Sequence, residues 1–100
     1  MDKLIAHVFP NYAKAYAHLR SIWEEQNVLE IDSTRLRYKE RDGTLHRCFV
    51  VRCHDDIQAF FGFEFFEHHV HDDFHHLKPD DLEYMNGMLR QRTRHVPEVA

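Results

Sequence analysis

The sequence predicts a small α/β domain, α+β-like in its order, in which two helices pack on one sheet. Three observations support this class: a helical repeat of apolar side chains after Asn11, an Asp42-Gly43 turn between two strand patterns, and helix-start residues at Pro79. We expect an N-terminal helix, a β-hairpin, a third strand and a C-terminal helix (αβββα). One hundred residues suffice for one domain, so we expect residues 1–95 to form it and residues 96–100 to fray.

The first helix is predicted from apolar residues at helical spacing: Tyr12, Tyr16, Leu19 and Trp23. Asn11 is a suitable N-cap for this helix, and Asn27 is a suitable stop. Together they predict a helix that fills most of the chain between these two asparagines.

A β-hairpin is predicted next. Residues 33–40 alternate apolar and basic side chains, which indicates a half-buried strand. Gly43 accepts the positive φ that a tight hairpin turn requires. The returning strand, residues 45–53, is apolar on both faces near its middle, as a central strand would be.

The second half of the chain predicts three more elements. Asp55 and Asp56 favour a short helical turn before Gly62, because acidic side chains stabilise a helix start. The aromatic content of residues 63–71 indicates a third strand. A final helix begins at Pro79, which suits the first helical turn. Its predicted buried face carries Leu82, Met85 and Leu89.

The two cysteines indicate the compartment. Cys48 and Cys53 lie five residues apart in one predicted strand, which would separate their Cα atoms by about 16 Å. A disulfide needs less than roughly 7 Å, so we expect free thiols and a cytoplasmic location. No apolar run approaches the roughly 20 residues of a membrane span.

Charge and aromatic side chains predict a protein-binding surface. Residues 1–54 carry nine Lys/Arg against seven Asp/Glu, and residues 55–100 carry four against ten, a balance of −6. Several phenylalanines exceed what a three-stranded sheet with two helices can bury, so some should face a partner or a second copy. The predicted partner-binding residues are Phe60, Phe61, Phe63, Phe65, Glu64, Glu67, Asp72 and Asp73. Nucleic acid is a less expected partner, because the net charge is −4.

Histidines are concentrated between residues 68 and 76. Five of them surround Asp72 and Asp73: His68, His69, His71, His75 and His76. In a strand His69 and His71 would share a face, and in a helix His71 and His75 would do so. The segment therefore predicts a candidate zinc or nickel site made by His69, His71, His75 and Asp72. No other cofactor is expected.

The segment from residue 55 to residue 92 resembles the middle of a phage large-terminase ATPase domain. Three groups of residues carry the resemblance: Gly62, Glu64 and Phe65 at its start, Asp72 and Asp73 as an acidic pair, and Tyr84, Met85, Leu89 and Arg90 in the final helix. The resemblance implies a small phage-encoded protein related to that domain.

The chain departs from that family at the residues that bind ATP. A P-loop requires GxxxxGK[ST], whereas the three glycines here are isolated from one another. We therefore expect no nucleotide binding and no enzymatic activity. The expected function is a non-catalytic interaction module, either an anti-CRISPR-like inhibitor of a host defence system or a packaging accessory. The alternative is a divalent-metal-binding protein that uses the segment from residue 68 to residue 76.

Overall fold

The computed structural model describes residues 3–94. The elements follow in the order β1 (Leu4–Phe9), α1 (Tyr12–Ser21), β2 (Val28–Asp32), β3 (Arg37–Glu40), β4 (Leu45–Val50), a 3-10 helix (His54–Phe60), β5 (Glu67–Val70) and α2 (Pro79–Arg92). The tail predicted to fray, residues 96–100, lies outside the described part.

The five strands form one mixed sheet in the order β2-β3-β4-β1-β5. β1 runs parallel to both of its neighbours, β4 and β5, whereas β2, β3 and β4 form an antiparallel meander. The α/β class is confirmed, but the predicted order is wrong, because the chain begins with a strand. β1 escaped prediction because a strand buried on both faces has no apolar-polar alternation.

Helices cover both faces of the sheet. Side chains alternate along a strand, so Ala6 and Val8 lie on one face of β1 while His7 and Phe9 lie on the other. Ala6 and Val8 belong to a core that also contains side chains of the 3-10 helix and α2. Phe9 packs in a second cluster with Ala15 and Leu19 of α1. We call these the α2 face and the α1 face.

Helix α1 begins where the sequence predicts and ends earlier. The Asn11 side-chain oxygen accepts a hydrogen bond from the Lys14 amide at 2.9 Å, which confirms the N-cap. The helix ends at Ser21, six residues before Asn27. Trp23, which continues the helical pattern in the sequence, is exposed beyond this end.

The predicted hairpin joins β3 to β4, with Gly43 at φ 93° in the turn between them. Its first strand is shorter than predicted, because residues 33–36 form the turn that connects β2 to β3. Its second strand ends at Val50, so Cys53 lies beyond it. Both cysteines are free thiols; Cys48 is buried and Cys53 is exposed.

The short helix before Gly62, the third predicted strand and the final helix are each confirmed, as the 3-10 helix, β5 and α2. Phe60 in the 3-10 helix and Met85 and Leu89 in α2 are fully buried, as is Phe65, which lies two residues before β5. Among residues 3–94, no helix has the length and apolar character needed to cross a membrane.

Candidate metal centre

The α1 face carries a group of histidines at its centre. His7 lies on β1, the middle strand of the parallel part, and its strand partners are Cys48 on β4 and His69 on β5. His46 on β4 and His71 after β5 reach the same face, because each lies an even number of residues from one of these partners. The sheet register therefore gathers side chains that are far apart in the sequence.

Hydrogen bonds join the histidines into a row. His7 Nδ1 lies 2.8 Å from His71 Nε2, and His7 Nε2 lies 2.8 Å from His46 Nδ1. The row ends at Glu40 on β3, whose Oε1 lies 2.5 Å from His46 Nε2. Both ring nitrogens of His7 and of His46 thus have a partner, as buried polar atoms require.

Helix α1 adds a third histidine beside His7 and His71. His18 points from the helix to the sheet, and its ring centroid lies 4.8 Å from that of His7 and 5.0 Å from that of His71. One ring nitrogen from each of the three residues lies within 4.8 Å of the others. We call His7, His18 and His71 the three-histidine cluster.

An ion pair fixes the helix to the chain segment that carries His71. Lys14 Nζ lies 3.0 Å from Asp72 Oδ2. Lys14 and His18 are four residues apart and so lie on the same side of α1. The pair holds that side of the helix against the residue next to His71, and it lowers the pKa of Asp72.

Burial keeps the cluster uncharged. Removal from water is the main cause that lowers the pKa of His7 to about 2 and that of His18 to about 4, and the neighbouring histidines lower both further. The same desolvation lowers the pKa of His71. Neutral imidazole is the form that binds metal ions, so these rings have the charge state that coordination requires.

The distances suit an ion of the zinc class. A Zn–N bond of about 2.0–2.1 Å places the nitrogens of a tetrahedral site roughly 3.3 Å apart. The cluster nitrogens lie within 4.8 Å of one another, so the side chains would adjust their positions around a bound ion. Three nitrogen donors favour zinc, copper, nickel or iron over magnesium and calcium, which prefer oxygen.

The four metal ligands predicted from the sequence do not all lie at one site. His71 is in the three-histidine cluster, and His69 is beside it, with its ring centroid 5.4 Å from that of His7. His75 is on an exposed loop, with its side chain 88% exposed and near Asp73. Asp72 faces Lys14 instead of the cluster. His69 and His71 lie on one face of the sheet, as the strand geometry predicts.

The predicted partner-binding residues do not form one surface. Phe60 and Phe65 are fully buried in the core, because five strands with helices on both faces bury more than the expected three-stranded sheet. Phe63 packs against the same core. Phe61 is exposed, and Glu64 is exposed and paired with Arg94. The remaining three, Glu67, Asp72 and Asp73, lie on β5 and the loop after it.

Sequence reasoning missed His7, His18 and His46 as site residues. They stand alone in the sequence, whereas the run from residue 68 to residue 76 attracts attention by its density. One signal was available: His7 interrupts an otherwise apolar segment, LIAHVF, where a buried polar side chain needs partners.

The fold and the site together define a mixed α/β domain with a half-buried histidine cluster on one sheet face. Comparisons with the models of known protein families, with characterised proteins and with solved structures found no match to this chain.

Proposed function

We propose that this protein binds one divalent transition-metal ion of the zinc class through His7, His18 and His71. The observation that carries the proposal is the convergence of three ring nitrogens, one from each residue, within 4.8 Å. The three side chains come from a strand, a helix and the residue that follows a second strand, so bound metal would also hold these parts of the chain together.

The proposed role is binding and not turnover. Three protein ligands leave one tetrahedral position for water or for a donor from another molecule. The chain has no phosphate-binding loop, so we propose neither nucleotide binding nor ATP hydrolysis.

Zinc titration of protein purified without a histidine tag tests the proposal. The chelator-stripped chain should take up one ion, measured by competition with a chromophoric chelator and by native mass spectrometry. His18→Ala and His71→Ala should each weaken binding by more than about 100-fold, because even the loss of an outer hydrogen-bond partner costs about 10–100-fold.

His54→Gln is the matched control. This histidine is exposed, pairs with Asp81 at 2.8 Å and stacks on Tyr84, away from the cluster. It should bind zinc as the wild type does. The proposal fails if the wild type takes up no stoichiometric zinc, or if the control loses as much affinity as the two cluster variants.

Protein binding is a second candidate, favoured by a cavity on the α2 side. Phe61, Tyr84 and Met88 line a cavity of about 260 Å³, and Phe61 is 52% exposed. An exposed aromatic at an open cavity suits a protein partner or a second copy of this chain. Light scattering on a sizing column tests self-association. Phe61→Ser should lower the mass of the particle in solution. A wild type that is monomeric at every concentration contradicts self-association.

The more specific role, an anti-CRISPR-like inhibitor or a packaging accessory in the host cytoplasm, stays a proposal that depends on the terminase resemblance. Expression in bacteria whose CRISPR system targets a phage tests the inhibitor role. Plating of that phage should improve, and unchanged plating contradicts the role.

A further inference from the structure

The row of hydrogen bonds that ends at His7 begins at a carboxylate. Glu40 Oε1 is 2.5 Å from His46 Nε2, and His46 Nδ1 is 2.8 Å from His7 Nε2. The three residues lie on β3, β4 and β1, three adjacent strands of the sheet. Tyr38 stacks on the His46 ring at a centroid distance of 4.3 Å and an interplanar angle of 4°, which fixes the ring plane.

The chemistry of the carboxylate sets the direction of every proton in this row. An ionised carboxylate only accepts hydrogen bonds, so the neutral His46 ring carries its proton on Nε2 and donates it to Glu40. His46 Nδ1 is then an acceptor, and His7 must donate to it from Nε2, which also lies 3.3 Å from the Tyr38 hydroxyl oxygen. The remaining nitrogen of His7, Nδ1, is left as an unprotonated lone pair that faces His71.

We propose that Glu40 and His46 are positioning residues of the metal centre, which hold His7 in the one tautomer that presents the Nδ1 lone pair to the three-histidine cluster. This inference rests on the proposed metal site and deepens it. Metal-ligating histidines commonly donate their second ring N–H to an acceptor that fixes ring orientation and raises ligand basicity. Here the acceptor is a second histidine, supported in turn by a carboxylate.

The order of these hydrogen bonds also determines which ring must change its tautomer when metal binds. With His7 Nδ1 as acceptor, His71 Nε2 carries the proton of the 2.8 Å hydrogen bond between them. Coordination through that nitrogen requires the proton to leave Nε2, while solvent protonates Nδ1 of the same ring. His71 is only partly buried, whereas His7 is 6% exposed. The ring that must exchange a proton is therefore the one that water reaches.

Nuclear magnetic resonance of metal-free protein with ¹⁵N-labelled histidine tests the tautomers directly. Long-range ¹H–¹⁵N correlations at neutral pH should show His7 and His46 protonated at Nε2. In Glu40→Ala both rings should become mixtures of the two tautomers, and zinc affinity should fall by about 10–100-fold. Glu40→Gln should restore most of the affinity, because its amide oxygen accepts the same hydrogen bond.

Glu30→Ala provides the matched control, since Glu30 is an exposed carboxylate on the neighbouring strand β2. It should change neither the tautomers nor zinc binding. If His46 of the wild type is protonated at Nδ1, the inference is wrong. It is also wrong if Glu40→Ala folds and its His7 and His46 tautomers are unchanged. A wild type that has the expected tautomers but binds no zinc contradicts the metal proposal and leaves the hydrogen-bond order standing.

Discussion

His7 is a buried polar side chain on β1, an interior strand of the sheet, where water does not satisfy its ring. Both of its nitrogens have protein partners, His46 on one side and His71 on the other. Removing His71 would leave the buried Nδ1 without a partner, which costs about 1–3 kcal/mol, whereas Nε2 would keep the Tyr38 hydroxyl at 3.3 Å. The histidine row is therefore a structural constraint on the α1 face even before any ligand binds.

Cysteine reactivity is a prediction at the same scale. Burial raises the pKa of Cys48 from 9.0 to about 12, which lowers its thiolate fraction at pH 8 by about 1,000-fold. Cys53 is exposed. Iodoacetamide should label one thiol per native chain, at Cys53, and two in denaturant, as read by peptide mass spectrometry. Equal labelling of both cysteines in the native state would contradict the buried position of Cys48.

Among the elements, β1 organises the fold. Parallel strands need a connection that crosses a face of the sheet. The connection from β1 to β4 includes α1 on one face, and the connection from β4 to β5 includes the 3-10 helix on the other. Two faces provide two cores, which accounts for aromatic side chains that the sequence analysis placed on the surface. The run of phenylalanines from residue 60 to residue 66 supplies both core and surface positions.

Two of these phenylalanines should differ sharply in their effect on stability. Phe65→Ala should lower the free energy of unfolding by about 3–5 kcal/mol, because the side chain is fully buried beside Phe49 and Phe60. Phe61→Ala should cost less than about 1 kcal/mol, since the ring is half exposed. Urea unfolding followed by circular dichroism measures both. Similar losses for the two variants would show that the assigned burial is incorrect.

At the scale of the whole molecule, the buried histidines couple folding to pH. The native pKa of His7 is about 2, and that of His18 is about 4, whereas an unfolded histidine titrates near 6.5. Between these values the unfolded chain binds protons that the native chain does not. Stability is therefore full above about pH 6.5 and is lost as the pH falls.

Metal-free protein should accordingly lose stability between pH 7 and pH 5. The slope from His7 is small at pH 7 and approaches about 1.4 kcal/mol per pH unit below pH 6, and the half-buried His18 adds a smaller, solvent-screened slope of the same sign. Urea midpoints at pH 7.0, 6.0 and 5.0 in the presence of a chelator measure the effect. His54→Gln, an exposed control, should show the same slope. Constant midpoints across this range would contradict the burial of His7.

Zinc should stabilise the whole fold, because the three ligands come from three elements. At a free zinc concentration about 100 times the dissociation constant, the native state gains about 2.7 kcal/mol. For a domain of this size that raises the melting temperature by roughly 10 °C or more. Scanning fluorimetry at pH 7.5 measures the shift, and His18→Ala should abolish most of it. An equal shift in His18→Ala would assign the zinc to other histidines.

The sequence determined those features that depend on neighbouring residues. The N-cap at Asn11, the turn at Gly43 and the start of the last helix at Pro79 follow from local backbone chemistry. They were predicted at the correct positions because propensity and capping act within a few residues. The alternation rule also placed His69 and His71 on one strand face, as the structure has them.

Only the tertiary structure decided the sheet and the site. β1 pairs with strands that begin about 40 and 60 residues later in the chain, and no local pattern specifies such parallel pairings. His7, His18 and His71 meet because that register and the α1 crossover bring them together. The dense run of histidines in the sequence identifies His71 as a site residue. Long-range strand pairing places His7 beside it, and helix packing places His18 there.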